Sequence, residues 1–145
     1  MQVSVVGAAL VRDGRVLASR RTAPPALAGF WEFPGGKVEA GESDEQALVR
    51  ELAEELGVVV AVGDQLGAEV PIGGEGNAVL RVYVATLVSG EPVHVDHDEH
   101  RWLAVDELDD VPWIPADAPL VEALRQLLGM SRTGPSGGAA TGGPG

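Results

Sequence analysis

A short helix with clearly marked ends constrains this chain more than any other feature. Ser43 followed by Gln46 is a capping box, and Gly57 can adopt the left-handed conformation that ends a helix. These signals predict a helix from about Asp44 to Leu56. Leucines at every fourth position, next to Ala47, give this helix an apolar face that must be buried: Leu48, Leu52 and Leu56.

Glu51, Glu54 and Glu55 lie on another face of the same helix. Carboxylates three and four residues apart on a helix repel each other, so a cation is expected among them. Arg50 could neutralise or orient one of them. Oxygen ligands on a rigid element also suit Mg²⁺ or Mn²⁺, particularly an ion shared with substrate phosphates. The alternative is that the glutamates form only a solvated acidic face.

The spacing around the helix resembles the Nudix box, GX5EX7REUXEEXGU, at every fixed position from Gly36 to Val58. The preceding segment, FWEFPGGKVEAGE, is similar to the MutT branch of that family, the nucleoside triphosphate pyrophosphohydrolases. The resemblance implies an α/β protein with the Nudix fold, in which a mixed β-sheet is sandwiched between α-helices. It also implies a reaction in which water attacks the β-phosphorus of a nucleoside triphosphate, giving the monophosphate and pyrophosphate.

The same resemblance implies roles for the residues of the box. The expected metal ligands are the Gly35 carbonyl and the three helix glutamates. Arg50 is expected to orient Glu51, while Glu42 and Gly36 support the site from the N-terminal side of the helix. The general base is expected to be Glu51, Glu54 or an acidic residue of the loop before Trp102, and the sequence does not choose among them.

An acidic residue ahead of the tryptophan strand completes the metal site or activates water in the family, and Asp96 is its best positional match. Glu99 is the second candidate. Both lie in His94 to His100, which reads HVDHDEH. Although His and Asp are metal ligands, this stretch has no tetrahedral Cys/His spacing. We therefore expect no separate transition-metal site there.

Three further residues are candidates for contact with the substrate. Arg21, ahead of the FWEFPGG segment, resembles the MutT-branch arginine that meets phosphate, although it could be only a strand-end charge. Phe33 belongs to an aromatic strand that shapes the base pocket in the family, but aromatic clusters are also common in plain core. Arg81 could face the base or the phosphates, or be a charge on a strand surface.

Asp117 stands where the MutT branch carries an asparagine that hydrogen-bonds oxidised guanine. An ionised carboxylate accepts hydrogen bonds and cannot donate them, so it suits the N4 amino group of cytosine better than the O6 atom of guanine. The surrounding PAD-P-L arrangement also resembles the CTP pyrophosphohydrolase branch. A protonated Asp117 in a dry pocket could still donate to guanine. Both 8-oxo-dGTP and the cytosine nucleotides CTP, dCTP and 5-methyl-dCTP are therefore candidate substrates.

The remaining elements follow from apolar patterns and turn signals. Asp13-Gly14 predicts a hairpin. Leu120, Leu124, Leu127 and Leu128 are expected to face inward from a C-terminal helix, with Ala118 or Asp117 as its cap. Gly63 to Asn77 is expected to be a mobile connection. The predicted strands are Gln2 to Val11, Arg15 to Arg21, Phe30 to Phe33, Val58 to Val62, Val79 to Val88 and Arg101 to Ala104, and the last helix is predicted from Pro119 to Leu128.

Composition limits the class of protein. A chain of 145 residues with 45% apolar content predicts one domain, residues 1–129, followed by a disordered Gly/Ser/Pro-rich tail, residues 130–145. The net charge of −12 argues against binding a nucleic acid polymer, whereas bound divalent ions would let an acidic site attract a triphosphate. The chain has no cysteine and no long apolar run, and its first residues, MQVSVVGAALVRDG, lack the basic region and small-residue cleavage site expected of a signal peptide. We expect a cytoplasmic monomer or homodimer without a membrane partner.

Two other functions remain open at this stage. One is an ADP-ribose or dinucleotide pyrophosphatase, although such resemblances usually carry insertions or an N-terminal arm that this compact chain lacks. The other is a non-catalytic Nudix domain that senses nucleotides. The intact box argues against that alternative, because an idle domain has no need of every carboxylate.

Overall fold

The computed structural model describes residues 3–73, 77–93 and 97–133. Within these ranges lie seven strands and two α-helices, with short 3₁₀ helices at Val105–Asp110 and Pro115–Asp117. The strands and α-helices are β1 (Val3–Arg12), β2 (Arg15–Arg21), β3 (Trp31–Glu32), β4 (Gly35–Lys37), α1 (Asp44–Leu56), β5 (Val59–Ile72), β6 (Ala78–Ser89), β7 (His97–Leu103) and α2 (Ala118–Thr133).

The strands form one mixed sheet organised around β1. Strand β1 pairs in parallel with β6 and antiparallel with β2 and β4. The main strand order is β3-β2-β1-β6-β5, and β7 pairs with β2. The middle of β1 is buried, as its Val- and Ala-rich sequence predicted for a strand covered on both faces. The predicted hairpin is confirmed, because Asp13 and Gly14 join β1 to β2 with φ angles of 54° and 76°.

Helices cover both faces of the sheet, which confirms the predicted α/β architecture. Helix α1 buries its leucine stripe against side chains of β1 such as Val6 and Leu10. Helix α2 packs on the opposite face, where its buried leucines meet Ala9 and Val82. Within the described ranges, neither helix is long and apolar enough to span a lipid bilayer.

Helix α1 has the predicted bounds. The Ser43 hydroxyl accepts a hydrogen bond from the Gln46 backbone N–H at 3.1 Å, and the Gln46 side chain accepts one from the Ser43 N–H at 2.9 Å. Gly57 ends the helix with φ at 70°. The capping box and the glycine stop are both confirmed.

The expectation that residues 63–77 form a mobile connection is wrong for residues 63–72, because β5 continues to Ile72. Beyond Val60, strand β5 pairs with β6 through two register shifts, between Val62 and Gln65 and between Leu66 and Val70. Gly67, with φ at 63°, lies inside the second shift. The glycines that suggested a loop therefore lie in an irregular part of the strand, where extra residues do not pair with the neighbouring strand.

Strand lengths elsewhere also differ from the predictions. Strand β7 begins at His97 instead of Arg101, since the end of the HVDHDEH stretch pairs with β2. Strand β3 is limited to Trp31 and Glu32, and the glycine pair expected in a loop forms the short strand β4. These segments carry weak local signals, and pairing with β1 or β2 decides their conformation.

Helix α2 begins at Ala118 and ends at Thr133, so it runs past the predicted end and across the predicted domain boundary. The inward position of Leu127 is wrong, because its exposed fraction is 39%. Val121 is buried instead, which moves the buried stripe around the helix and leaves Leu127 at its margin. Residues 134–145 of the predicted tail lie outside the described residues.

Candidate active site

A cavity of about 530 Å³ opens between β1, the segment from β3 to β4, and the 3₁₀ helix before α2. Its wall combines apolar and polar groups. The apolar lining comes mainly from Val5, Val6, Phe33, Ile72, Leu80, Ile114 and Ala116. The polar and glycine lining consists of Gly7, Arg21, Thr22, Glu32, Gly35, Gly36, Glu55 and Asp117. The cavity therefore joins the glycine pair and one glutamate of α1 to a buried carboxylate.

Asp117 lines the cavity and is only 2% exposed. Its Oδ2 atom accepts a hydrogen bond from the Phe33 backbone N–H at 3.2 Å, so the carboxylate is directed at the residue that follows β3. The Phe33 ring packs on Trp113 with ring centroids 4.9 Å apart. Burial raises the pKa of Asp117 to about 7, and the N–H of Phe33 opposes that shift. The side chain is thus poised between a hydrogen-bond acceptor and a donor near neutral pH.

Arg21 lines the cavity from the end of β2. Its Nη1 atom donates to Oε1 of Glu32 at 2.8 Å, and its Nε atom donates to the carbonyl of Ala23 at 2.9 Å. Glu32 was missed in the sequence, although its position between two aromatic residues of a short strand could have placed it on the same face as Arg21. The two residues form a paired charge beside the buried carboxylate.

The glycine pair of β4 makes contacts that no larger residue allows. A Cβ atom built on Gly35 would lie 1.9 Å from the Val6 carbonyl oxygen, where β4 crosses β1. A Cβ atom built on Gly36 would lie 2.4 Å from Cδ of Glu51. The two glycines therefore let a strand lie directly against the acidic face of α1.

Arg50 is the cation expected among the glutamates of α1. It binds Glu42 through two hydrogen bonds of 2.7 and 2.9 Å, and its Nη2 atom donates to the Lys37 carbonyl at 3.1 Å. Its Nη1 atom lies 3.1 Å from Oε2 of Glu51 and 3.4 Å from Oε1 of Glu54. The hydrogen bond from Arg50 lowers the pKa of Glu42 to about 2. Arg50 thus contacts Glu51, which it was expected to orient, and also Glu42.

The three helix glutamates differ in their surroundings. The side chain of Glu51 is 17% exposed and that of Glu54 is 62% exposed, whereas Glu55 lines the cavity. Among the residues that the structure describes, no group of three or more His, Cys, Asp or Glu side chains is arranged to hold a metal ion. The glutamate oxygens and the backbone of Gly35 nevertheless supply the hard ligand type that Mg²⁺ and Mn²⁺ prefer.

Several predicted site residues among those described do not line the cavity; of the three helix glutamates, only Glu55 does. Arg81 is absent from the cavity lining, and its guanidinium binds Asp44 at the start of α1. Asp96 lies outside the described residues. The second acidic candidate, Glu99, lies on β7 with its Oε1 atom 3.7 Å from Nη1 of Arg20.

Comparison with known proteins agrees with this arrangement of fold and cavity. The profile of the NUDIX domain matches residues 1–124. A Mycobacterium tuberculosis protein named "Putative 8-oxo-dGTP diphosphatase 2" is 47% identical over 130 residues, which are 88% of this chain and 91% of that protein. The Escherichia coli CTP pyrophosphohydrolase is 39% identical over 126 residues, 86% of this chain and 93% of that protein.

Among solved structures, the MutT NUDIX hydrolase from Burkholderia pseudomallei is 36% identical with a TM-score of 0.69, and the match covers 88% of this chain and 98% of that one. The fold and the site define a protein of the α/β class in which a helix rich in glutamate contributes to the lining of a cavity of about 530 Å³. The chain belongs to the Nudix family and is a hydrolase of its MutT-like branch. Hydrolases of this family generally use a divalent metal ion.

Proposed function

We propose that this chain hydrolyses nucleoside triphosphates to the monophosphate and pyrophosphate, using Mg²⁺ or Mn²⁺, with 8-oxo-dGTP or cytosine nucleotides as substrates. The observation that supports it best is the cavity itself. Its lining includes the glycine pair and Glu55 of α1 as well as the buried carboxylate of Asp117. A nucleotide bound with its phosphates toward Gly35 and its base toward Asp117 would contact both sets of groups.

The residues that would hold the metal are the Gly35 carbonyl and the carboxylates of Glu51, Glu54 and Glu55. Asp96 is a further candidate from the sequence. When bound, the ion supplies charge that neutralises the phosphates and lowers the pKa of a water molecule. The hard oxygen character of these groups and the close approach of Gly36 to Glu51 support this assignment.

The chain's own residues then position groups and take up a proton. Arg50 donates to Glu51 and is itself held by Glu42, so the Glu51 carboxylate has a defined orientation. A carboxylate beside the attacked phosphorus can accept the proton of the attacking water, and Glu51, Glu54 and Asp96 are the candidates. Arg21 is a candidate for contact with the phosphates, since it already lines the cavity.

Recognition of the base is assigned to Asp117 and Phe33. An ionised Asp117 would accept a hydrogen bond from the N4 amino group of cytosine, whereas a protonated one would donate to O6 of an oxidised guanine. A pKa of about 7 makes both forms accessible near neutral pH. The names of the relatives, a diphosphatase for 8-oxo-dGTP and a pyrophosphohydrolase for CTP, support keeping both substrates.

The remaining features of the proposal concern the cellular setting. We expect the chain to act on nucleoside triphosphates in the cytoplasm, as a monomer or homodimer. The net charge of −12 supports small nucleotides over nucleic acid polymers as partners.

The test is an assay of the purified chain with Mg²⁺ and a panel of CTP, dCTP, 5-methyl-dCTP, 8-oxo-dGTP and ADP-ribose. Release of pyrophosphate and a monophosphate from at least one triphosphate is expected. Cleavage of ADP-ribose alone, or no magnesium-dependent cleavage at all, would overturn the proposal. Replacement of Asp117 by Asn should shift the ratio of kcat/KM values from CTP toward 8-oxo-dGTP, and an unchanged ratio would remove Asp117 from base recognition.

A further inference from the structure

Arg81 makes an unusual set of contacts for a residue on a strand surface. Its Nε atom donates to Oδ2 of Asp44 at 2.7 Å, and its Nη2 atom donates to Oδ1 at 3.3 Å. The Nη2 atom also reaches the hydroxyl of Ser4 at 3.1 Å, and Nη1 donates to Glu69 at 3.1 Å. The guanidinium therefore joins the start of helix α1 to strands β1, β5 and β6.

The carboxylate of Asp44 is held from a second direction. The hydroxyl of Tyr83, two residues after Arg81 on the same face of β6, donates to Oδ2 of Asp44 at 2.6 Å. The side chains of Arg81 and Asp44 are only 23% and 21% exposed. The hydrogen bond from Arg81 lowers the pKa of Asp44, so the pair is ionic at neutral pH. This network is directional and largely shielded from solvent.

Asp44 is the first residue of α1, and the same helix carries Glu51, Glu54 and Glu55. The leucine stripe that binds α1 to the sheet is apolar, and apolar attraction is non-directional. It fixes which face is buried but constrains the position along the helix axis less strictly. A two-point hydrogen bond at the first residue fixes that position. Because a helix rises 1.5 Å per residue as a rigid rod, a shift at Asp44 reaches Glu51, roughly 10 Å away, nearly undiminished.

We propose that Arg81 is a positioning residue: by binding Asp44 it sets the position of helix α1 and thus the placement of the carboxylates of Glu51, Glu54 and Glu55. This inference rests on the proposed function for its kinetic consequence. One role that the sequence suggested for Arg81 was direct contact with the substrate. We infer instead that Arg81 acts through helix α1. Tyr83 shares this role through the same carboxylate.

The test compares four variants: Arg81→Met, Arg81→Lys, Tyr83→Phe and Asp44→Asn. Arg81→Met should lower kcat by about tenfold or more with KM for the nucleotide changed by less than about twofold, because displacement of catalytic groups by a fraction of an ångström is costly. Arg81→Lys should recover part of the lost kcat, since a lysine keeps the positive charge but lacks the planar guanidinium that donates several hydrogen bonds at once. Tyr83→Phe should cause a smaller fall in kcat. The double variant of Arg81→Met and Asp44→Asn should be no worse than the poorer single variant, because both remove the same contact.

Arg125→Met is the matched control. Arg125 makes a 2.9 Å ion pair with Asp109 on the opposite side of the sheet and is similarly exposed. Its loss should leave kcat and KM unchanged. A tenfold rise in KM with unchanged kcat in Arg81→Met would overturn the proposal in favour of direct substrate binding. Additive effects in the double variant would also overturn it.

Amide hydrogen exchange separates this inference from the proposed function. In Arg81→Met and Tyr83→Phe, the amides of the first two turns of α1 should exchange faster than in the wild type and in the Arg125→Met control. This result would support the positioning role of Arg81 even if the wild type cleaved no nucleotide. In that case only the proposed function would fail. Unchanged exchange in α1 together with unchanged kcat would show that Arg81 is merely a surface charge.

Discussion

Gly36 and Glu51 are packed so closely that a Cβ atom on residue 36 would lie 2.4 Å from the Glu51 carboxylate carbon. Gly35, the residue before Gly36, is also constrained, but by the backbone of β1. Two adjacent glycines thus have different neighbours, one a flexible side chain and the other a fixed strand. The two contacts lead to different predictions for the same substitution.

Gly36→Ala should impair catalysis while preserving the fold. The added methyl group meets the end of a flexible side chain, so Glu51 can move aside at little cost in stability. We expect kcat to fall by about a hundredfold, since small displacements of catalytic groups are costly, with the melting temperature nearly unchanged. Gly129→Ala is the control, because a Cβ atom there meets nothing within 4 Å. Wild-type turnover in Gly36→Ala would show that the position of Glu51 is not critical.

Gly35→Ala should instead destabilise the protein. The new Cβ atom would lie 1.9 Å from the Val6 carbonyl oxygen, and neither strand can move without disrupting the pairing of β1 with β4. We expect the free energy of unfolding to fall by about 3 kcal/mol or more, as for other severe steric conflicts. Urea unfolding monitored by circular dichroism measures this change. A loss below that of Gly36→Ala would contradict the described contact.

Asp117 should make stability depend on pH in a specific direction. Its folded pKa is raised from 3.8 to about 7, so between these values the folded chain binds a proton that the unfolded chain releases. The stabilisation is fully present below about pH 4 and is lost as pH rises through about 7. The free energy of unfolding should therefore fall more steeply between pH 4 and pH 7 in the wild type than in Asp117→Asn. Parallel pH profiles would mean that Asp117 is ionised in the folded chain throughout.

Glu54→Gln and Glu55→Gln should each lower kcat by orders of magnitude and leave the fold intact. Glutamine keeps the size of the side chain but removes the charge expected to bind a divalent ion. Glu45→Gln on the same helix is the control, since Glu45 is exposed and outside the cavity lining. Steady-state kinetics as a function of Mg²⁺ concentration is the measurement. Turnover close to that of the wild type in either variant would show that the metal site is assigned to the wrong residues.

Local signals in the sequence predicted one part of the fold closely. The bounds of α1, its capping box and its glycine stop were correct because each depends on residues within one turn of one another. The Asp13-Gly14 hairpin was correct for the same reason. The contact from Arg50 to Glu51 could also be anticipated, because neighbouring residues supply both partners.

Long-range pairing explains what the sequence missed. Residues 63–72 were expected to be a connection because glycine weakens the strand signal, yet pairing with β6 keeps them in β5. Leu127 was expected to be inward, and the orientation of α2 on the sheet left it exposed. Arg81 was considered either a substrate contact or a charge on a strand surface, and its partner was found in Asp44, 37 residues away in the chain.

The sequence by itself determined the bounds of helix α1, the spacing of its glutamates and the resemblance to the Nudix family, because these depend on residues close together along the chain. Only the tertiary structure decided that Asp117 is buried against Phe33, 84 residues away, and that Gly36 lies against Glu51. Burial and steric contact arise when segments from distant parts of the chain meet. The loss of solvent raises the pKa of Asp117, and the packing of these segments gives the cavity its shape.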